Sequence, residues 1–210
     1  MGRVRHLAGT MVAVAAIVAS CTTNGSAQPA PDTASPQASR PTSSGATTSV
    51  RQSAPRVPNP IESASYLADP CRALSVERAT ALGLPAAGKR LDAGSMPGCD
   101  WYVPPTSPVG MSVGITFITM NKNGLEDIYS GGQKGRYRYF EPTVVAGHPA
   151  VFSGIADLRL QGDCSIAVGL TDQLVATAKV QISNGSEKGN PCPVAARAAE
   201  AMIATMRGGS

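Results

Sequence analysis

Few residues of this 210-residue chain have the types and spacing that chemistry needs. There are two histidines, His6 in the leading stretch and His148 in the body. A Ser-His-Asp or Cys-His nucleophilic site in the body therefore has to use His148. That residue stands in Gly147-His148-Pro149, a turn sequence, and a structural role in the turn is the simpler reading. Glu126 and Asp127 are adjacent, so on a helix they project at different azimuths and form a solvated face rather than a glycosidase pair. Gly131-Gly132-Gln133-Lys134-Gly135-Arg136 has glycines enough for an anion cradle. It lacks the Gly-Lys-Ser/Thr ending and a preceding hydrophobic strand, so it reads as a connector. Arg136, Tyr137, Arg138 and Tyr139 interleave guanidinium and aromatic groups, a pattern that can stack on bases, sugars or a partner's side chains. They are the one candidate binding set. The competing reading is an edge strand whose arginine stems lie along the surface.

The five cysteines carry more information. Four of them, Cys71, Cys99, Cys164 and Cys192, fall in the body of the chain and allow three pairings. Cys71–Cys99 and Cys164–Cys192 are favoured: each joins neighbouring elements, and each matches a cysteine beside a helix start with one at a strand start. Short metal-type spacing and a Cys-x-x-Cys redox pair are both absent, so neither zinc nor any other metal is expected. Trp101, two residues from Cys99, reads as packing against the first disulfide.

The fifth, Cys21, closes an address. Arg3 and Arg5 precede fourteen apolar or small residues, 7–20, whose helical length of about 21 Å falls short of a bilayer core of ~30 Å. That is a signal-peptide length. The run ends Val18-Ala19-Ser20-Cys21, which resembles a bacterial lipobox: an aliphatic residue, two small residues that fit a peptidase cutting inside the membrane, then the thiol that accepts a diacylglyceryl group. Residues 1–20 are thus expected to be removed. Acylated Cys21 would then hold the protein on the lipid bilayer, at the extracytoplasmic face of the cell membrane, through two or more acyl chains.

Residues 22–60 are almost entirely Pro, Ser, Thr, Ala, Gln and Gly and cannot bury enough surface to offset the entropy of ordering. With Cys21 they read as a tether over 21–60, spanning ~35 Å as a coil and up to ~120 Å if extended. A single domain is expected over 61–210. The chain is 42% hydrophobic and its net charge of +4 is misleading as a guide to partners. Residues 1–60 hold five arginines and one aspartate, and the rest holds thirteen basic and thirteen acidic residues. An electrically balanced domain argues against nucleic acid.

Elements follow from periodicity. Ser75 opens a short helix that stops at Gly83. Residues 100–103 form a strand before Pro104-Pro105. In 110–120, Met111, Val113, Ile115 and Phe117 alternate with Ser112, Gly114 and Thr116 as in a half-buried strand. A middle helix spans 124–131, strands span 136–147 and 149–154, a further strand carries Ile166, Val168 and Leu170, and 174–182 returns as its partner. Pro191 to Met206 is a long helix with Val194, Ala198, Met202 and Met206 in one stripe. The order α-β-β-α-β-β-β-β-α gives an α+β domain: a mostly antiparallel sheet packed by a short N-terminal helix, a middle helix and a long C-terminal helix, with two disulfides.

These residues resemble a family of actinobacterial lipoproteins known as domain of unknown function 3558. The resemblance rests on Asp69-Pro70-Cys71 with Leu74 and the helix ending Ala81-Leu82-Gly83; on Cys99-Asp100-Trp101; on Val145-Ala146-Gly147-His148-Pro149-Ala150; on Cys164 opening an alternating strand; and on Cys192 followed by Ala195 and Ala196. It covers most of 66–206. It implies an exported, membrane-anchored, disulfide-bearing α+β domain and transfers no catalytic residues. The expectation is a non-enzymatic binding or interaction module of the cell envelope, needing no cofactor, whose partner is an envelope protein or a small ligand. A regulatory or sensor lipoprotein serving a membrane signalling partner, and a carrier of a lipid or small ligand, are the alternatives. A hydrolase built on His148 stands behind them.

Overall fold

The computed structural model describes residues 52–94 and 96–208. Cys21 and the expected signal peptide lie outside the described residues. Seven strands form one antiparallel sheet: β1 (Lys89–Ala93), β2 (Met96–Val103), β3 (Met111–Ile118), β4 (Tyr139–Val145), β5 (His148–Gly154), β6 (Asp163–Gly169) and β7 (Val175–Ile182). Their spatial order is β1-β2-β3-β7-β6-β5-β4. Two meanders, β1 to β3 and β4 to β7, are joined where β3 pairs with β7, from Met111 opposite Ile182 to Ile118 opposite Val175.

Alternation decides what each face carries. Met111, Val113, Ile115 and Phe117 of β3 and Ala176, Ala178, Val180 and Ile182 of β7 point to one side and are buried. Cys99 and Trp101 of β2 and Cys164, Ile166 and Val168 of β6 join them. The helix α4 (Cys192–Met206) lies on this face, burying Val194, Ala195, Ala198, Ala199, Met202 and Ile203. Its alanines let the helix approach the sheet closely, and the layer between them is filled. Along the chain between Ile61 and β1 come two short helices, α1 (Ala64–Ala68) and α2 (Val76–Ala81), with a 3-10 turn, Pro70–Ala73, between them. Ser75 caps α2 by accepting a hydrogen bond from the Arg78 amide. On the opposite face α3 (Leu125–Gln133) covers a smaller cluster, setting Leu125, Ile128 and Tyr129 over Val151, Ala167 and Val175.

Both disulfides form with the favoured pairing, Cys71–Cys99 and Cys164–Cys192, at Cα separations of 5.0 and 5.2 Å. Each staples an element of the helical layer to a strand. Gly88 makes the first one possible: a Cβ there would come within 2.5 Å of Cys99 Sγ and 2.6 Å of the Trp101 ring.

Three expectations need correction. The first helix of the described chain is Ala64–Ala68, ahead of the one at Ser75; it has no side-chain cap and buries none of its residues, so it leaves no periodic signal. β1 is a seventh strand, missed because Lys-Arg-Leu-Asp-Ala is a polar edge sequence without alternation. The packed body also reaches back beyond residue 61. Val57 is buried, its amide donates to Asp172 at 3.0 Å, Arg56 pairs with the same carboxylate at 2.7 Å, and the Ala54 amide donates to Glu126 at 2.8 Å. Composition reads this segment as tether because only one of its side chains is large, apolar and buried. Backbone donors meeting carboxylates hold the rest.

Candidate functional site

Arg136, Tyr137, Arg138 and Tyr139 do not form one surface. The strand β4 lies at the sheet edge but begins only at Tyr139, so Arg136, Tyr137 and Arg138 precede it. Tyr139 is buried, with the Arg159 guanidinium 4.3 Å from its ring centroid. Tyr137 stacks on Phe140 at 6.0 Å and packs beside Gly131. Arg136 and Arg138 point outward and are exposed. Tyr137 packs against the smaller core and Tyr139 is buried beside Gly154, so no stacking platform is left beside the guanidinium groups. Burial raises both tyrosine pKa values, which keeps the phenols neutral.

His148 opens β5 rather than sitting in the turn, which is Ala146-Gly147 with φ of 47° and 81°. Positive φ at both central residues makes a type I′ hairpin. The imidazole is fully buried. Its Nδ1 lies 2.8 Å from the Gly169 carbonyl oxygen and so carries the proton; its Nε2 lies 2.8 Å from Arg207 Nη2, a group that can only donate. Both nitrogens are engaged and the ring is neutral. Desolvation lowers its pKa, the Gly169 carbonyl opposes this, and the Arg207 charge lowers it further. The residue ties the start of β5 and the end of β6 to the C-terminal cap of α4, leaving neither nitrogen to serve as a base. Among the described residues no three His, Cys, Asp or Glu side chains cluster as a metal site.

What remains is the outer face of the sheet beyond α3. In an antiparallel ladder, residues directly opposite each other share a face. The registers therefore build rows of side chains across four strands. One row runs Tyr102, Ser112, Gln181, Asp163; the next runs Asp100, Gly114, Lys179, Ser165; a third runs Gly98, Thr116, Thr177, Ala167. No helix of the described residues covers the first two rows. They enclose a cleft of about 340 Å³, with Gly114 as its floor, Asp100 on one wall and Lys179 on the other. The strand spacing of ~4.8 Å puts those walls roughly 10 Å apart.

Three features mark this cleft. A Cβ on Gly114 would meet only Asp100 Oδ1, at an ordinary 3.5 Å, so packing does not demand glycine there and the absent side chain leaves open space. Asp100 is half-buried with no hydrogen-bond or ion-pair partner among the described residues, and desolvation raises its pKa. Lys179 is held by Asp163 at 2.9 Å. The cleft thus combines a carboxylate without a protein donor, an ammonium, an amide and four hydroxyls with the apolar side chains of Leu91, Met96 and Ile118, at near-zero net charge. Its parts were visible in the sequence as the polar halves of two alternating strands. Their juxtaposition was not, because the β3–β7 pairing joins residues 57 to 71 positions apart.

No curated protein and no solved structure matches the chain. Residues 16–205 match the family described as protein of unknown function DUF3558, and the chain belongs to that family.

Proposed function

We propose that this member of the DUF3558 family is a lipid-anchored, extracytoplasmic binding module of the cell envelope. Its ligand-binding surface is the open polar face of the sheet around Gly114. The observation that carries this reading is Asp100: a half-buried carboxylate without a partner, at the wall of a cleft that no packing requirement keeps open. The carboxylate is partly desolvated, and a donor-bearing ligand would supply hydrogen bonds that the fold does not. The mixture of donors and acceptors with no net charge suits a neutral, polar, hydrogen-bonding ligand better than a polyanion. The address read from Val18-Ala19-Ser20-Cys21 supplies the location, and the tether the reach.

The carrier alternative has less support, because the layer between sheet and α4 is occupied by fully buried side chains such as Ile166, Leu170, Met202 and Ile203. A hydrolase centred on His148 finds no support in a ring whose two nitrogens are both hydrogen-bonded inside the fold. A sensor role is a special case of the same binding surface.

The test is a photo-crosslinking residue at Thr177, on the cleft wall, expressed in intact cells and read by mass spectrometry. A discrete adduct at Thr177 that is absent when the crosslinker sits at exposed Val76 supports the reading. No adduct at Thr177, or the same adducts at both sites, contradicts it. The anchor is tested separately by the mass of the N-terminal peptide: a diacylated Cys21 is expected, and an unmodified one overturns it.

A further inference from the structure

Between β5 and β6, residues 155–162 project three large aliphatic side chains into solvent. Ile155 is 75% exposed, Leu158 46% and Leu160 82%. The loop does not hang loosely. A 3-10 turn, Arg159–Gln161, is closed by the Gln161 and Asp163 amides, which donate to the Leu158 carbonyl at 2.9 and 3.1 Å. Arg159 braces it, bonding Asp157 at 2.7 Å and Glu141 at 2.8 Å while lying over the Tyr139 ring. A braced loop that keeps leucines in water is presenting them. Arg159, the one guanidinium on the tip, is paired with two carboxylates, so seating the tip brings in no bare cation, and the one negative charge left on the cluster stands near the exposed cations at the base of the loop.

We infer that this loop is a bilayer-contacting tip, inserting Ile155, Leu158 and Leu160 at the headgroup–acyl boundary of the membrane that carries the anchor. The inference rests on the anchored reading above for its membrane. Three observations select lipid over a protein partner. Three convex side chains fall far short of the ~800 Å² that each side brings to a stable protein interface, whereas an already tethered domain needs only a small adjunct. Exposed Arg138 and Lys188 stand at the base of the loop, where anionic headgroups would lie; the Arg138 amide bonds Gly154, and Lys188 packs beside Gly162. Gln52, the described residue nearest the anchor in sequence, also lies on this side. The Gln52 carbonyl is held by Gln133 at the end of α3, Gly132 abuts Phe140, and Phe140 pairs with Ser153 just before the loop.

The test uses the full chain on vesicles of phosphatidylcholine and phosphatidylglycerol containing brominated lipid. Leu160→Trp is compared with Met120→Trp, an exposed position at the other end of β3. Native Trp101 is 1% exposed and supplies a constant background. The expected result is blue-shifted emission and several-fold stronger bromine quenching for Leu160→Trp. Equal quenching at both positions, or none at Leu160→Trp in protein that floats with the vesicles, overturns the inference. So does a protein adduct from a crosslinker at Leu160 without lipid quenching, which would assign the loop to a protein partner. Acylation of Cys21 is scored on the same sample. Quenching with an unacylated Cys21 keeps the loop and removes the anchor; acylation without quenching does the reverse.

Discussion

Arg207 donates a hydrogen bond from Nη2 to His148 Nε2 across 2.8 Å, joining the last turn of the C-terminal helix to the first residue of β5. The bond exists only while the imidazole is neutral, because a guanidinium cannot accept. Burial, with the Arg207 charge adding to it, holds the folded pKa of His148 below its ordinary value of 6.5. In the unfolded chain the same ring takes up a proton as the pH falls through about 6.5, while the folded ring resists. The stabilisation is complete above that pH and is lost progressively below it, with a slope that approaches ~1.4 kcal/mol per pH unit for one proton. Urea unfolding at pH 7.5 and pH 5.0 measures it. His148→Gln is expected to be less stable at pH 7.5 and to show a flatter dependence over this range. An unchanged dependence would show that another group titrates.

The two disulfides each close a separation of 28 residues. Chain entropy assigns about 3–4 kcal/mol to a loop of that size. Replacing Cys164 and Cys192 together with alanine, which leaves no free thiol, should lower the unfolding free energy by about that much. The urea midpoint reads it. A loss under about 1 kcal/mol would mean that the α4–β6 packing alone fixes the pair.

Ala146 is the only non-glycine at positive φ among the described residues. An L-residue with a Cβ pays about 1–2 kcal/mol in that region, and asparagine pays less. Ala146→Asn is expected to raise stability by roughly 0.5–1 kcal/mol, seen as a higher thermal midpoint. A lower midpoint would contradict the type I′ geometry of the β4–β5 turn.

Much of the fold is written in short-range pattern. The alternation of Met111 to Phe117, the stripe of Val194, Ala198, Met202 and Met206, and the equal spacing of the two cysteine pairs all carry into the structure. What was illegible has physical reasons. The strand β1 and the segment 54–57 are held by backbone hydrogen bonds and carboxylates rather than by apolar periodicity. His148 looks like a turn residue because its two partners, Gly169 and Arg207, are 21 and 59 positions away. The candidate site was half legible: the polar halves of β3 and β7 were visible, but only long-range pairing sets Asp100, Gly114 and Lys179 in one row. Arg136 to Tyr139 drew attention by local composition, and packing then divides them, aromatics inward and arginines outward.

The binding account turns on the empty floor of the cleft. Filling it should block binding without harming the fold, since glycine in a strand interior weakens the strand and a larger residue at 114 has room outward. The decisive measurement compares Gly114→Leu with Gly114→Ala, each carrying the crosslinker at Thr177 in intact cells, with unfolding midpoints recorded alongside. The account predicts that Gly114→Leu loses the adduct at least tenfold while its midpoint is unchanged or raised, and that Gly114→Ala keeps most of it. A full adduct yield from folded Gly114→Leu would contradict it.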